Sequence, residues 1–262
     1  VTGRTAMIAG TGRLPHELAA VLDDPLIAAL DGFAPDGLAA ESFRLERLVP
    51  FMDSLLDRGV ERVVFAGLVR RPPLDPEAFD PRTAMLVPRI AMAMQQGDDA
   101  TLREVIALFE EAGLAIAGVA DLAPHLVPGA GMLAGRPGPG DDADLARARE
   151  IVAGLGHLDI GQGAVVARGL CLAVETLPGT EAMLDFVART RPEGRGGVLW
   201  KAPKPGQDRR IDLPAVGPET VAQAAAARLA GIGWEAGGVV LIDRRATIAA
   251  AEAAGLFLAA VP

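Results

Sequence analysis

The chain contains no tyrosine, no asparagine, two serines, two lysines, one cysteine and three histidines in 262 residues. Each scarcity removes a class of function. Cys171 has no partner for an internal disulfide and no Cys-His pattern around it, so disulfide scaffolds and cysteine nucleophiles are excluded. His16, His125 and His157 are far apart and match no metal-ligand spacing. No Gly-x-Ser-x-Gly elbow exists, which excludes the common serine hydrolases. Asp, Glu or Arg interrupts every apolar run before it reaches the length of a membrane span. The apolar run within residues 1–15 is too short for a secretory segment, and a reducing cytoplasm is expected. A net charge of −9 repels a phosphate backbone, so nucleic acid is not an expected partner.

What is present is half hydrophobic and arranged in short apolar runs alternating with amphipathic segments. Thr5 to Gly10 reads as a strand, Pro15 to Leu22 and Leu48 to Arg58 as helices, and Arg62 to Ala66 as a buried strand. Ala84 to Gln96 and Asp99 to Ala112 read as helices, with Asp98 or Asp99 placed to cap the second. Residues 124–142 are rich in Gly and Pro. Beyond them come a helix at Ala143 to Leu155, a hairpin around Arg168-Gly169 with Cys171 in a buried strand, and further alternating elements. The expected architecture is α/β with two domains. An N-terminal Rossmann-like parallel α/β domain spans 1–130, a Gly/Pro-rich linker 131–140, and a C-terminal mixed-sheet α/β domain 141–262.

Two segments carry chemistry. Gly10-Thr-Gly12 is a glycine turn between strand and helix, where backbone can approach a phosphate. Pro15 stands where a dinucleotide fingerprint wants a third glycine, which argues against a nicotinamide-dependent oxidoreductase. The second is Lys201-Ala-Pro-Lys-Pro-Gly-Gln-Asp-Arg-Arg-Ile-Asp212, which holds both lysines of a chain that otherwise uses arginine, 23 times. Two ammonium groups in one proline-stiffened pentapeptide suit a crowded phosphoryl site, with neighbouring carboxylates to hold a divalent metal or orient water. A solvated loop of mutually screened charges is the alternative. Asp208 is read as the partner of Arg209 and Arg210. Polar turns at Asp159-Ile-Gly-Gln-Gly163 and Glu175 to Thr180 complete the cluster.

Several stretches together resemble the LpxI-type UDP-2,3-diacylglucosamine pyrophosphatases of lipid A biosynthesis. They are Ile8 to Pro15, Phe65-Ala-Gly-Leu-Val-Arg-Arg-Pro72, Gln96-Gly-Asp-Asp-Ala100, Leu158 to Val166, Ala173-Val-Glu175 with Gly179 to Leu184, and Lys201 to Pro214, in family order over essentially the whole chain. The resemblance implies hydrolysis of the pyrophosphate in a UDP-linked diacylated glucosamine, with water attacking the phosphorus on the sugar side. UMP and lipid X, 2,3-diacylglucosamine 1-phosphate, are the implied products. It implies Mg²⁺ or another divalent metal, a homodimer, substrate held between two domains, and transient contact with the inner face of the inner membrane. Mapped onto this chain, Asp212 is the key catalytic carboxylate, joined by Lys201 and Lys204. Gly10, Gly12, Gln162, Thr180 and Glu181 are expected to bind substrate, and Asp212, Asp98 and Asp99 to bind the metal. The pattern departs at Glu181 and Leu68, where the family usually carries Asp and Asn. A non-catalytic nucleotide- or phospholipid-binding module is the competing reading.

Overall fold

The computed structural model describes residues 3–69, 74–191 and 194–262, the side chain of Asp98 excepted. Arg70, Arg71 and Pro72 of the Phe-Ala-Gly stretch lie outside the described residues. The chain divides into two compact units, residues 1–123 with 210–212, and residues 124–209 with 213–262.

In the N-terminal unit the elements run β1 (Arg4–Ala9), α1 (Leu14–Ala19), β2 (Leu26–Leu30), β3 (Glu41–Phe43), α2 (Leu48–Asp57), β4 (Val60–Ala66), α3 (Pro81–Ala84), α4 (Val87–Gln95), α5 (Asp98–Glu111), β5 (Ala115–Ile116) and α6 (Val119–Leu122). Its sheet has the order β3-β2-β1-β4-β5 and every pairing is parallel. That order reverses at β1 and β4, the switch point characteristic of doubly wound nucleotide folds. Leu48, Met52 and Leu55 fall at helical spacing and bury one face of α2, while Ile106 and Phe109 do the same for α5. The helix expected over residues 84–96 is α4, which starts three residues later at Val87 because Pro88 has no N–H to give to the carbonyl of Ala84 and suits a first helical turn. The cap of α5 is Gly97, so Asp98 and Asp99 are the first helical residues rather than caps.

In the C-terminal unit the order is β6 (Gly131–Ala134), α7 (Asp141–His157), β7 (Gly163–Ala167), β8 (Leu170–Val174), α8 (Gly179–Thr190), β9 (Val198–Lys201), β10 (Ala215–Val216), α9 (Pro218–Ala226), β11 (Gly231–Glu235), β12 (Val240–Leu241), α10 (Arg244–Ala254) and β13 (Phe257–Val261). The main sheet is mixed, ordered β6-β13-β11-β9-β7-β8, and β10 pairs with β12 in a small parallel sheet. Residues 131–134, read from sequence as the start of the linker, form strand β6 antiparallel to β13. The expected hairpin is β7–β8. Its turn residues Arg168 and Gly169 both have positive φ, and the buried Asp144 carboxylate accepts both of their N–H groups at 2.9 and 2.7 Å. Cys171 is in β8 as expected, but it is exposed rather than buried, because β8 is an edge strand.

Side-chain alternation along β9 sends Val198 and Trp200 into a core with Leu145, Ala148 and Val152 of α7. It sends Leu199 into the opposite core with Met183, Leu184 and Val187 of α8. Lys201 therefore emerges at the end of β9 on the α8 face. No helix among the described residues is long and apolar enough to cross a membrane.

Candidate functional site

The lysine pair lies at the end of β9, and the two ammonium groups have different surroundings. Lys201 is 4% exposed. Its Nζ donates to Thr180 Oγ1 at 2.6 Å and to the carbonyl of Ala215 at 3.4 Å, and it lies 3.7 Å from Glu175 Oε2. The Thr180 hydroxyl, having accepted from Lys201, donates its proton to Glu175 Oε1 at 2.9 Å. Glu175 is itself buried, and its Oε2 makes no hydrogen bond. A buried ammonium, a hydroxyl and a buried carboxylate are thus linked in series, and the direction of each hydrogen bond is fixed by the chemistry of the groups.

The backbone beside this network is made for it. Gly163 pairs with Lys201 across β7 and β9, and its carbonyl accepts the Glu175 N–H at 2.8 Å. A Cβ at Gly163 would stand 2.5 Å from Glu175 Oε2, and one at Gly161 would stand 2.1 Å from the Glu175 carbonyl oxygen. The Gly-Gln-Gly turn therefore makes room for Glu175. Between the two glycines, the Gln162 carbonyl accepts the Ala202 N–H at 3.1 Å, and its side-chain Oε1 is buried without a hydrogen bond. Glu181 follows Thr180 in the first turn of α8 and is exposed.

Lys204 is half-buried and forms an ion pair with Asp159, which sits in a left-handed turn at φ 54°. Its backbone N–H donates to Gln207 Oε1 at 2.9 Å, so the loop is held at both ends of the residue. The cavity at this loop has a volume of about 290 Å³, and Arg149, Trp200, Lys204, Gln207, Arg209 and Glu235 are among its walls. Arg149 lies over the Trp200 ring at 5.9 Å, and Arg209 pairs with Glu235. Arg149, Lys204 and Arg209 bring three cations to this cavity, of which Lys204 is paired with Asp159 and Arg209 with Glu235. A larger cavity, about 510 Å³ at α10 and β13, has none of the expected site residues in its wall.

The remaining expected residues belong to the N-terminal unit. Gly10 and Gly12 follow β1 at the switch point. Gly10 has no room for a side chain, since its Cβ would meet the Leu68 carbonyl oxygen at 2.5 Å where Thr11 and Leu68 bridge. Gly12 has φ 98° and open space beside it. Helix α1 is only six residues long. Asp99 is engaged by Arg103 at 2.5 Å one turn along α5, and the Asp98 side chain lies outside the described residues. Ile211 is in the core of this unit and Arg210 pairs with Glu110, which holds the segment carrying Asp212. Asp212 is exposed and left-handed at φ 57°. Arg209 pairs with Glu235 and Arg210 with Glu110.

Among the described residues no three His, Cys, Asp or Glu side chains gather as a ready-made metal cage. The donors present suit Mg²⁺, which commonly binds one or two carboxylates and completes its shell with phosphate oxygens and water. Asp212 is an exposed oxygen donor of that kind, and Asp99 is engaged by Arg103.

In the sequence Glu175 stands only as the first residue of a polar turn; that β7 lies between β8 and β9, and that Gly163 has no side chain to separate Glu175 from Lys201, shows only in the fold.

Comparison with known proteins gives consistent matches over the whole chain. The family model described as LpxI N-terminal domain matches residues 4–126, and that described as LpxI C-terminal domain matches residues 129–259. The UDP-2,3-diacylglucosamine pyrophosphatase LpxI of Caulobacter vibrioides is 39% identical over 286 aligned residues, covering 98% of this chain and 97% of the relative.

Proposed function

The chain belongs to the LpxI family, and from that premise we propose that it hydrolyses the pyrophosphate of UDP-2,3-diacylglucosamine, releasing UMP and 2,3-diacylglucosamine 1-phosphate in lipid A biosynthesis. The observation that carries this beyond the family match is the placement of the chain's two lysines. Both sit at one strand end, one hydrogen-bonded to Thr180 beside the buried Glu175 and the other on the rim of a cavity shared with Arg149 and Arg209.

Phosphoryl transfer asks a protein mainly for positioning and for fixed positive charge where oxygens gain negative charge. Lys204, with Arg149 and Arg209 around the same cavity, is suited to hold phosphate oxygens. Lys201 supplies a charge whose position is fixed before substrate arrives, so no reorganisation is needed in the transition state. Asp212 is proposed to orient the attacking water towards the sugar-side phosphorus. Mg²⁺, held by Asp212 and the substrate's own phosphate oxygens, would supply charge neutralisation at the pyrophosphate. Gly12 has open space beside it, and Glu181 is exposed on the first turn of α8.

Asp212→Asn tests this reading better than Asp212→Ala, because asparagine tolerates the left-handed conformation that alanine resists. The Asn variant should bind substrate and unfold as the unaltered chain does, yet lose nearly all UMP release. Asp208→Ala should keep most of it. A folded Asp212→Asn protein with undiminished, chelator-insensitive turnover would remove Asp212 and the metal from the reaction.

A further inference from the structure

We propose that Glu175 is a positioning residue for this reaction, holding the Lys201 ammonium and the Thr180 hydroxyl in a single arrangement; the proposal rests on the hydrolase reading above for its kinetic consequence, though not for its geometry. Glu175 follows the end of β8, and Lys201 is the last residue of β9, with Gly163 of β7 between them. In a sheet, directly paired residues point to the same face, so a side chain at position 163 would stand between the carboxylate and the ammonium. Glycine leaves that space, and Glu175 Oε2 occupies it, 2.5 Å from where the Cβ would be. The carboxylate then reaches Lys201 twice, directly at 3.7 Å and through Thr180 by the two hydrogen bonds of 2.6 and 2.9 Å.

This arrangement answers a physical problem. An ammonium with 4% exposure has lost most of its water, and three donors on a flexible stem have no single preferred direction. A buried carboxylate supplies the counter-charge, and Thr180 converts that charge into a direction. The Thr180 proton is committed to Glu175, so its oxygen faces Lys201 as an acceptor. Glu175 acts through Lys201 and Thr180 and needs no contact with the substrate itself.

The scarcity of lysine supplies the test. In protein labelled with ¹⁵N at lysine Nζ, the chain gives two side-chain signals, and Lys204→Arg leaves that of Lys201 alone. A buried, hydrogen-bonded ammonium exchanges its protons with water slowly enough to be seen. Glu175→Gln keeps the shape of the side chain and removes its charge, and should speed Lys201 proton exchange about 10-fold or more. In the chain with both lysines it should lower kcat for UMP release about 10- to 100-fold, with KM changed by less than about threefold. In a Lys201→Met background, Glu175→Gln should cost kcat little further, since its effect passes through that lysine. Should Glu175→Gln fail to fold, Thr180→Val keeps the carboxylate and breaks the link, and is expected to speed Lys201 exchange as well. Unchanged exchange and kcat in a folded Glu175→Gln protein would overturn the proposal. So would an equal kcat loss in the Lys201→Met background. If the unaltered chain releases no UMP, the hydrolase reading fails, while the exchange rates still decide the positioning geometry.

Discussion

Replacing Lys201 by arginine is the substitution this chain's composition would call harmless, since arginine is used in place of lysine nearly everywhere else. The structure says otherwise. The ammonium fits among Thr180 Oγ1 at 2.6 Å, the Ala215 carbonyl at 3.4 Å and Glu175 Oε2 at 3.7 Å, with 4% exposure. A guanidinium is longer, planar and broader, and there is no solvent-facing side into which it can swing. Forcing it in should cost about 1–3 kcal/mol of stability by overpacking, because charge pairing with Glu175 survives while the geometry does not. Both tryptophans, Trp200 and Trp234, are buried in the C-terminal unit, so urea unfolding followed by their fluorescence reads the unit that holds the substitution. Displacing the fixed charge should also reduce turnover about 10-fold, equivalent to about 1.4 kcal/mol in the transition state. Lys204→Arg provides the contrast: its side chain is 17% exposed at a cavity rim, its partner Asp159 can pair with a guanidinium, and its unfolding free energy should change by less than about 1 kcal/mol. A Lys201→Arg protein with unchanged midpoint and unchanged turnover would refute the reasoning and reduce the lysine pair to an accident of composition.

Two further outcomes are expected. Gly231→Ala should lose about 1–3 kcal/mol by the same fluorescence assay, because its Cβ would lie 2.3–2.5 Å from ring atoms of Phe257. Glu46, buried in the N-terminal unit, has its carboxyl held below the ordinary value by the Asp75 N–H at 2.9 Å, by its own backbone N–H and by Arg44. A depressed folded value adds stability at pH above about 4.3 that is lost as pH falls through the folded value. The stability gap between the unaltered chain and Glu46→Gln, followed by circular dichroism in urea, should therefore narrow between pH 7 and pH 3; a constant gap would show that Glu46 contributes only packing.

The layers of this fold were legible wherever apolar periodicity was clean, as in α2, α5 and β4. They were illegible where glycine interrupts the pattern. Strand β11 reads Gly-Ile-Gly-Trp-Glu, and its glycines exist because Phe257, Leu145 and Trp200 fill the space of the missing side chains. Strand β2 is a continuous apolar run whose two buried faces leave no alternation to read. At the candidate site, scarcity pointed to the lysines, but the difference between them did not show. Lys201 and Lys204 are three residues apart and chemically identical in sequence, yet one ends a strand facing α8 and the other rims a cavity. Gly161 and Gly163 were legible as a polar turn, while their purpose depends on Glu175 arriving from another strand.

The central claim is tested most directly by incubating the purified chain with UDP-2,3-diacylglucosamine in ¹⁸O-water and following both products by ³¹P NMR and mass. The account predicts equimolar UMP and 2,3-diacylglucosamine 1-phosphate, with the heavy oxygen in the sugar phosphate and the reaction lost in the folded Asp212→Asn protein. Intact substrate, or release of UDP in place of UMP, would contradict it.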